Sequence, residues 1–332
     1  MGKVISVAKA TTAELNRTDS TPERSRFLKA RAPLILLVFV TMACARNPVD
    51  PYPLRIGGGT IDIDFQPGDF SLGREKMLAW VNAAATSVEK YYGRFPLTHT
   101  ALHIRSFAGN GVRGGKTFGS REGGLIYISV GKRTDETELR QDWEMTHEMI
   151  HLTFPSVADQ HHWIEEGIAT YVEPIARARA GYLEPAQVWG DMVRDMPQGL
   201  PEAGDRGLDH TPTWGRTYWG GAIFCLLADM EIRQRTHNQK GLEHALRGIL
   251  DDGGNITQTW ELERALQVGD RAAGVPVLQE LYQKMKDKPV EVDLDGLWKQ
   301  LGVERQGGHT SFNNTAPLAA VRLAITTGES SH

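Results

Sequence analysis

The chain has 332 residues, of which 40% are hydrophobic and 23% charged, and a formal charge of −4. That composition suits a globular protein of one large or two small domains. Seven basic and three acidic residues lie in the first 45, leaving −8 over the rest; with no basic stripe to reverse that balance, no nucleic-acid partner is expected.

Taken in chain order, Arg24, Arg26, Lys29 and Arg31 precede an apolar run at 34–40, which ends in Thr41-Met42-Ala43-Cys44-Ala45. A basic region, a short apolar core and small residues make a secretory signal, and the run is too short to span a membrane. Residues 1–45 therefore read as a signal peptide or lipoprotein signal, and the protein as secreted or periplasmic. Two processing readings stand open. Ala43-Cys44-Ala45 fits an Ala-x-Ala cleavage site; alternatively Cys44 is lipidated and attaches the protein to a membrane.

Residues 46–58 are rich in Pro and Gly and read as a linker. The folded domain is expected over 59–305. Polar and apolar residues alternate at 60–65, which predicts a strand, and 102–107 and 125–130 predict two more. Residues 71–92 form an amphipathic helix closed by Gly93. The glycine-rich stretch 109–124 contains Gly114-Gly115-Lys116-Thr117, without the spacing of a phosphate loop. A continuous helix is expected over 138–153. Further helices follow at 162–179, 184–196, 218–235, 241–250, 257–267, 275–286 and 293–301. Strands first and helices afterwards predict an α+β fold, a small N-terminal mixed sheet followed by a mainly helical part. Residues 306–332 are rich in Gly, Ser, Thr and Asn and read as a largely mobile tail in which 318–325 can dock. Cys44 and Cys225 are the only cysteines; Cys225, in an apolar run, reads as a buried thiol.

Within the 138–153 helix lies His147-Glu148-Met149-Ile150-His151. Helix positions four apart sit about 40° apart around the axis and one turn along it, so both imidazoles can reach one cation. Glu148 can lean over the open face of that cation without binding it. Such an arrangement supplies two ligands and a general base of a zinc hydrolase. A third ligand is needed, and Glu166 follows in Trp163-Ile164-Glu165-Glu166-Gly167, where Gly167 permits close backbone packing. The competing reading is an amphipathic helix with two satisfied histidines.

Together these segments resemble the gluzincin metallopeptidases, and among them the aminopeptidase N and glycyl aminopeptidase groups with their thermolysin-like catalytic domain. The resemblance covers roughly residues 143–235. It implies Zn²⁺ held by His147, His151 and Glu166, with Glu148 as the base. It also implies a role for Tyr218, in Tyr218-Trp219-Gly220-Gly221-Ala222: a hydroxyl facing the metal and stabilising an oxyanion. The 115–130 region would pair with a peptide backbone, or else be a plain hairpin. The spacing between His151 and Glu166 is shorter than in aminopeptidase N, and no Gly-x-Met-Glu-Asn segment is present.

Other polar residues carry weaker expectations. Glu173, seven positions after Glu166, is either an acceptor for a ligand histidine or a solvated carboxylate. His161 and His162 read as surface or capping residues, and His210 as an exposed loop histidine or a second oxyanion donor. The sequence therefore predicts a zinc peptidase acting on peptides or proteins outside the cytoplasm. The alternative is an inactive binding or cell-envelope scaffold on the same fold.

Overall fold

The computed structural model describes residues 51–66 and 70–328. The targeting segment, Cys44 and residues 46–50 lie outside the described residues.

A five-stranded sheet opens the chain, in the spatial order β1-β2-β3-β5-β4. Its strands are β1 (Tyr52–Ile56), β2 (Gly59–Phe65), β3 (His99–Phe107), β4 (Val112–Ser120) and β5 (Gly123–Gly131). The central pairs β2–β3 and β3–β5 are parallel, and both edge strands run antiparallel to their neighbours. The alternation in sequence becomes a buried face: Ile61, Ile63, Leu102, Ile104, Ile126, Ile128 and Val130 all lie in the core. Burying each such side chain stabilises the fold by about 1.5–3 kcal/mol before entropy is counted. Helix α1 (Arg74–Tyr92) buries Met77, Trp80, Val81, Ala84, Val88 and Tyr91, the spacing of a single helical face.

Three expectations need correction. Residues 52–58 are not a linker but strand β1 and the Gly57-Gly58 turn of a hairpin. Pro53 is tolerated there because β1 is an edge strand. The 306–332 stretch is not largely mobile as far as residue 328. Strands β6 (Val303–Gln306) and β7 (His309–Phe312) pair through a Gly307-Gly308 turn, and a terminal helix, Ala319–Thr327, docks through Val321 and Ile325. Buried Arg322 on that helix donates to the carbonyls of Leu301 and Gly302 at 2.9 and 3.0 Å. In both places turn glycines resemble linker composition. Lastly, the 138–153 helix is broken. Helix α2 (Glu136–Gln141) ends at Asp142, which is extended, and α3 (Glu144–His151) starts afresh. The Asp142 carboxylate accepts from the amides of Glu144 and Met145 at 3.1 and 3.2 Å, so a residue read as helix interior serves as a cap.

The helical part follows with α4 (His162–Arg179), α5 (Pro185–Asp195), a π-helical turn at Arg216–Gly220, and α6 (Gly221–Arg235). Then come α7 (Leu242–Asp251), α8 (Leu262–Ala273), α9 (Val277–Met285), α10 (Leu294–Leu301) and the terminal α11. Cys225 is buried in α6, as expected. Among the described residues no helix is long and apolar enough to cross a membrane.

Candidate active site

Helices α3 and α4 bring His147, His151 and Glu166 together. Their ligand atoms all lie within 4.8 Å of one another, and all three side chains are buried. Nε2 of His147 is 3.2 Å from Glu166 Oε2, and Nε2 of His151 is 3.6 Å from the same oxygen. The two rings stand nearly perpendicular with centroids 4.8 Å apart, so their nitrogens converge instead of stacking. His151 Nε2 is buried without a hydrogen-bond partner. Glu166 Oε1 lies 3.3 Å from His162 Nε2 but lacks hydrogen-bond alignment. Leaving a group such as His151 Nε2 unpaired costs about 1–3 kcal/mol. His147 Nε2 and Glu166 Oε2 share a hydrogen bond, and two imidazoles and a carboxylate gathered this closely fit the donor set of a zinc ion.

Glu148 is fully buried beside this cluster. Its Oε2 accepts from Thr117 Oγ1 at 2.6 Å, and the same hydroxyl lies 3.0 Å from the Glu148 carbonyl oxygen. Oε1 has no hydrogen-bond partner. Thr117 lies on the edge strand β4, whose register shifts between Arg113 and Lys116. In that irregularity sits Gly115. A Cβ there would come within 2.5 Å of Glu148 Cγ and Oε1, so the backbone itself forms the wall beside the carboxylate. Gly115 N donates to Glu144 Oε2 at 3.3 Å. Burial raises the pKa of Glu148 against the opposing pull of His151, His147 and Thr117, and it takes Glu144 to about 7. A carboxyl displaced upward by desolvation is a stronger proton acceptor once ionised.

Tyr218 reaches the site from the other side. Its ring lies nearly parallel to His147, with centroids 6.3 Å apart. Burial and the carboxylates of Glu166 and Glu148 raise its pKa, so the phenol stays protonated and able to donate. The π-helical turn that carries it is a rare conformation that recurs at functional sites. Buried Arg216 pins that turn: its guanidinium donates to the Gly199 carbonyl, and Nε lies 2.7 Å from Asp205 Oδ2, an ion pair without hydrogen-bond alignment. Behind the turn, α4 and α6 cross at glycine on glycine. A Cβ on Gly167 would lie 2.4 Å from the Cα of Gly221, and one on Gly221 would lie 2.2 Å from the Trp163 carbonyl oxygen. Glu166 directly precedes this contact on α4, and Tyr218 lies on the turn that leads into it.

The weaker expectations sort as follows. Glu173 is not solvated, nor does it hydrogen-bond to a histidine. It is buried, accepts from Arg177 Nη1 at 2.8 Å, and is raised to about 7 by burial despite that arginine. His161 stands at the capping position of α4, as one reading had it, but it is not on the surface; it is buried against Asp209, with Nδ1 2.9 Å from Oδ1. His162 is half-buried and touches both Glu165, at 2.8 Å, and Glu166. Burial opposes a charge on His162, but these two carboxylates outweigh it and lift its pKa to about 9. His210 is exposed and faces Asp287 at 2.9 Å, away from the cluster. Sequence reading overlooked Thr117, Gly115, Glu144 and Arg216. A glycine pair inside an otherwise strand-like run was the only local signal for the first two.

The fold, a mixed sheet followed by a helical part, is shared with a solved protein. Among solved structures, this chain is similar to an aminopeptidase N family protein from Idiomarina loihiensis, with a TM-score of 0.57 at 12% identity. That match covers 77% of this chain and 49% of the other. An M1 zinc metallopeptidase from Deinococcus radiodurans is also similar, with a TM-score of 0.45 at 14% identity, covering 73% of this chain and 52% of the other. The chain thus spans about half the length of these proteins. No protein-family model matches the chain, and no curated protein does.

Proposed function

We propose that this chain is a zinc-dependent peptidase whose metal ligands are His147, His151 and Glu166. One observation carries the reading: three buried ligand atoms on two helices converge within 4.8 Å, next to a carboxylate with an oxygen left free. The solved structure of similar fold is named as an aminopeptidase N family protein, which agrees with it.

A bound zinc ion would supply a Lewis acid that lowers the pKa of a water and polarises a scissile carbonyl. The side chains around it have defined tasks. Glu148 takes the proton of the attacking water through Oε1 and delivers it to the leaving amine. Thr117 fixes the Glu148 rotamer by holding Oε2. Tyr218 donates its phenolic proton to the oxyanion as charge develops there. The edge strand β4, beside Glu148, is where an extended peptide would pair with the sheet. A scaffold without turnover has no need of a buried base held in this way.

We also propose, from the basic and apolar N-terminal segment, that the substrate peptides lie outside the cytoplasm, with Cys44 either removed or lipidated. Glu148→Gln tests the catalytic reading. Zinc content should stay near one per chain, and peptide hydrolysis should fall by at least ~10²-fold, the scale of a lost general base. An unchanged rate would reject Glu148 as the base.

A further inference from the structure

A cavity of about 350 Å³ is lined in part by the candidate ligand His147 and by Tyr218. Four rings run in series along one wall. Trp143 stands edge-on to His147 with centroids 5.3 Å apart. His147 faces Tyr218, and Tyr218 faces Trp214 at 5.6 Å and 26°. Trp219 adds a third indole, and Pro174 and Leu183 add aliphatic surface.

Two features of this cavity ask for an occupant. Trp143 is 43% exposed and Trp214 is 52% exposed, although most of the other large apolar side chains are buried. A single exposed indole is ordinary, but two flanking one concave site next to a candidate catalytic tyrosine form a patch. The charges at the rim, in contrast, are already engaged. Arg177 is bound by Glu173, and Arg194 pairs with both Asp191 and Asp195. An incoming charge would have to break one of these pairs, whereas an aromatic ring finds faces and edges at stacking distance. The volume sits near the lower end of the about 300–1,000 Å³ typical of ligand pockets, which suits one large side chain.

We propose that this cavity is a specificity pocket, which accepts a large aromatic side chain on the substrate residue beside the scissile bond, against the wall that carries Trp143 and Trp214. The inference rests on the peptidase reading above and adds the substrate class. Trp143 and Trp214 are specificity residues here. They touch the substrate side chain, not the reacting atoms.

The test has two readouts. Zinc-loaded protein is first incubated with peptides that differ at one position beside the cleaved bond. Phe, Tyr or Trp there should give a kcat/KM at least ~10-fold above Ala or Lys, the scale for filling or emptying an apolar pocket. In Trp214→Ala that ratio should fall towards one, and in Trp214→Phe it should largely return. Hydrolysis with no aromatic preference, or with a preference for Lys or Asp, overturns the proposal. The second readout is binding of N-acetyl-L-tryptophan amide to Glu148→Gln protein, followed by NMR. It should be saturable, ~10-fold weaker in Trp214→Ala, and not shared by N-acetyl-L-lysine amide. No selective binding also overturns the proposal. Selective, Trp214-dependent binding without hydrolysis of any peptide would refute the peptidase reading and leave the aromatic pocket standing.

Discussion

Gly167→Ala is a severe test of how the site is assembled, because two effects of known sign oppose each other. Alanine in a helix interior is favoured over glycine by about 1 kcal/mol, so propensity alone predicts a more stable protein. The crossing with α6 predicts the reverse. The new Cβ would lie 2.4 Å from both the Cα and the carbonyl carbon of Gly221 and 2.8 Å from its oxygen. Ordinary contact begins at 3.4 Å, so the helices must part by about 1 Å, and no rotamer change can relieve an overlap with backbone. Overpacking of this kind costs about 1–3 kcal/mol and more when the obstacle is rigid. The net expectation is destabilisation by up to about 2 kcal/mol in urea unfolding. The catalytic effect should be larger than the stability effect. Glu166 precedes the widened contact and Tyr218 lies on the turn that leads into it, so the donor withdraws from the metal. Displacements of about 1 Å commonly cost ~10² in rate. Equilibrium unfolding, zinc content and peptide turnover of the same preparation decide the matter. A Gly167→Ala protein as stable as wild type, with full activity, would refute a glycine-on-glycine crossing that positions Tyr218.

Two further outcomes follow from particular contacts. Tyr218→Phe keeps the ring stacked between His147 and Trp214 and removes only the hydroxyl; steady-state kinetics should show kcat lower by ~10²-fold or more, with zinc content and melting temperature near wild type. Glu243 is buried with Arg233 Nη2 at 2.7 Å and Arg179 Nη2 at 3.2 Å; burial alone would raise its pKa, but the two arginines outweigh it and hold the carboxyl at about 2, below its usual 4.5. Because the folded value is depressed, its stabilising contribution is complete above pH 4.5 and is lost as pH falls from there towards 2. Glu243→Gln should lose about 3–5 kcal/mol at neutral pH and show a shallower further loss across that acid window; acid titration followed by circular dichroism checks both.

The parts of this structure that were legible in sequence are those set by local spacing. His147 and His151 are four apart, so one helix delivers both, and Glu148 follows from the same period. Glu166 was readable as a candidate third ligand because it follows the two histidines on the next helix, beside a glycine. That Gly167 permits close packing was readable too, and its partner proves to be Gly221. The illegible parts depend on pairing across distance. Thr117 reaches Glu148 only because β4 folds back along β5 at the sheet edge, a registration no short window encodes. The break at Asp142 was hidden by helix-compatible neighbours, since aspartate gives the same composition inside a helix as at its cap. Glu173 shares a face with Glu166, as its seven-residue spacing implies, but Arg177 one turn further on captures it. The burial of His161, expected as a surface or capping residue, was not legible because its partner, Asp209, is 48 positions away.

The central claim is that His147, His151 and Glu166 hold one zinc ion, and metal content tests it most directly. Wild-type protein and single variants at these positions, purified in trace zinc and measured by mass spectrometry after exhaustive dialysis, should divide cleanly. Wild type and Glu148→Gln should retain one zinc per chain, whereas His147→Ala, His151→Ala and Glu166→Gln should fall well below that while remaining folded by circular dichroism. Stoichiometric zinc in folded His151→Ala, or no zinc in wild type, would contradict the account.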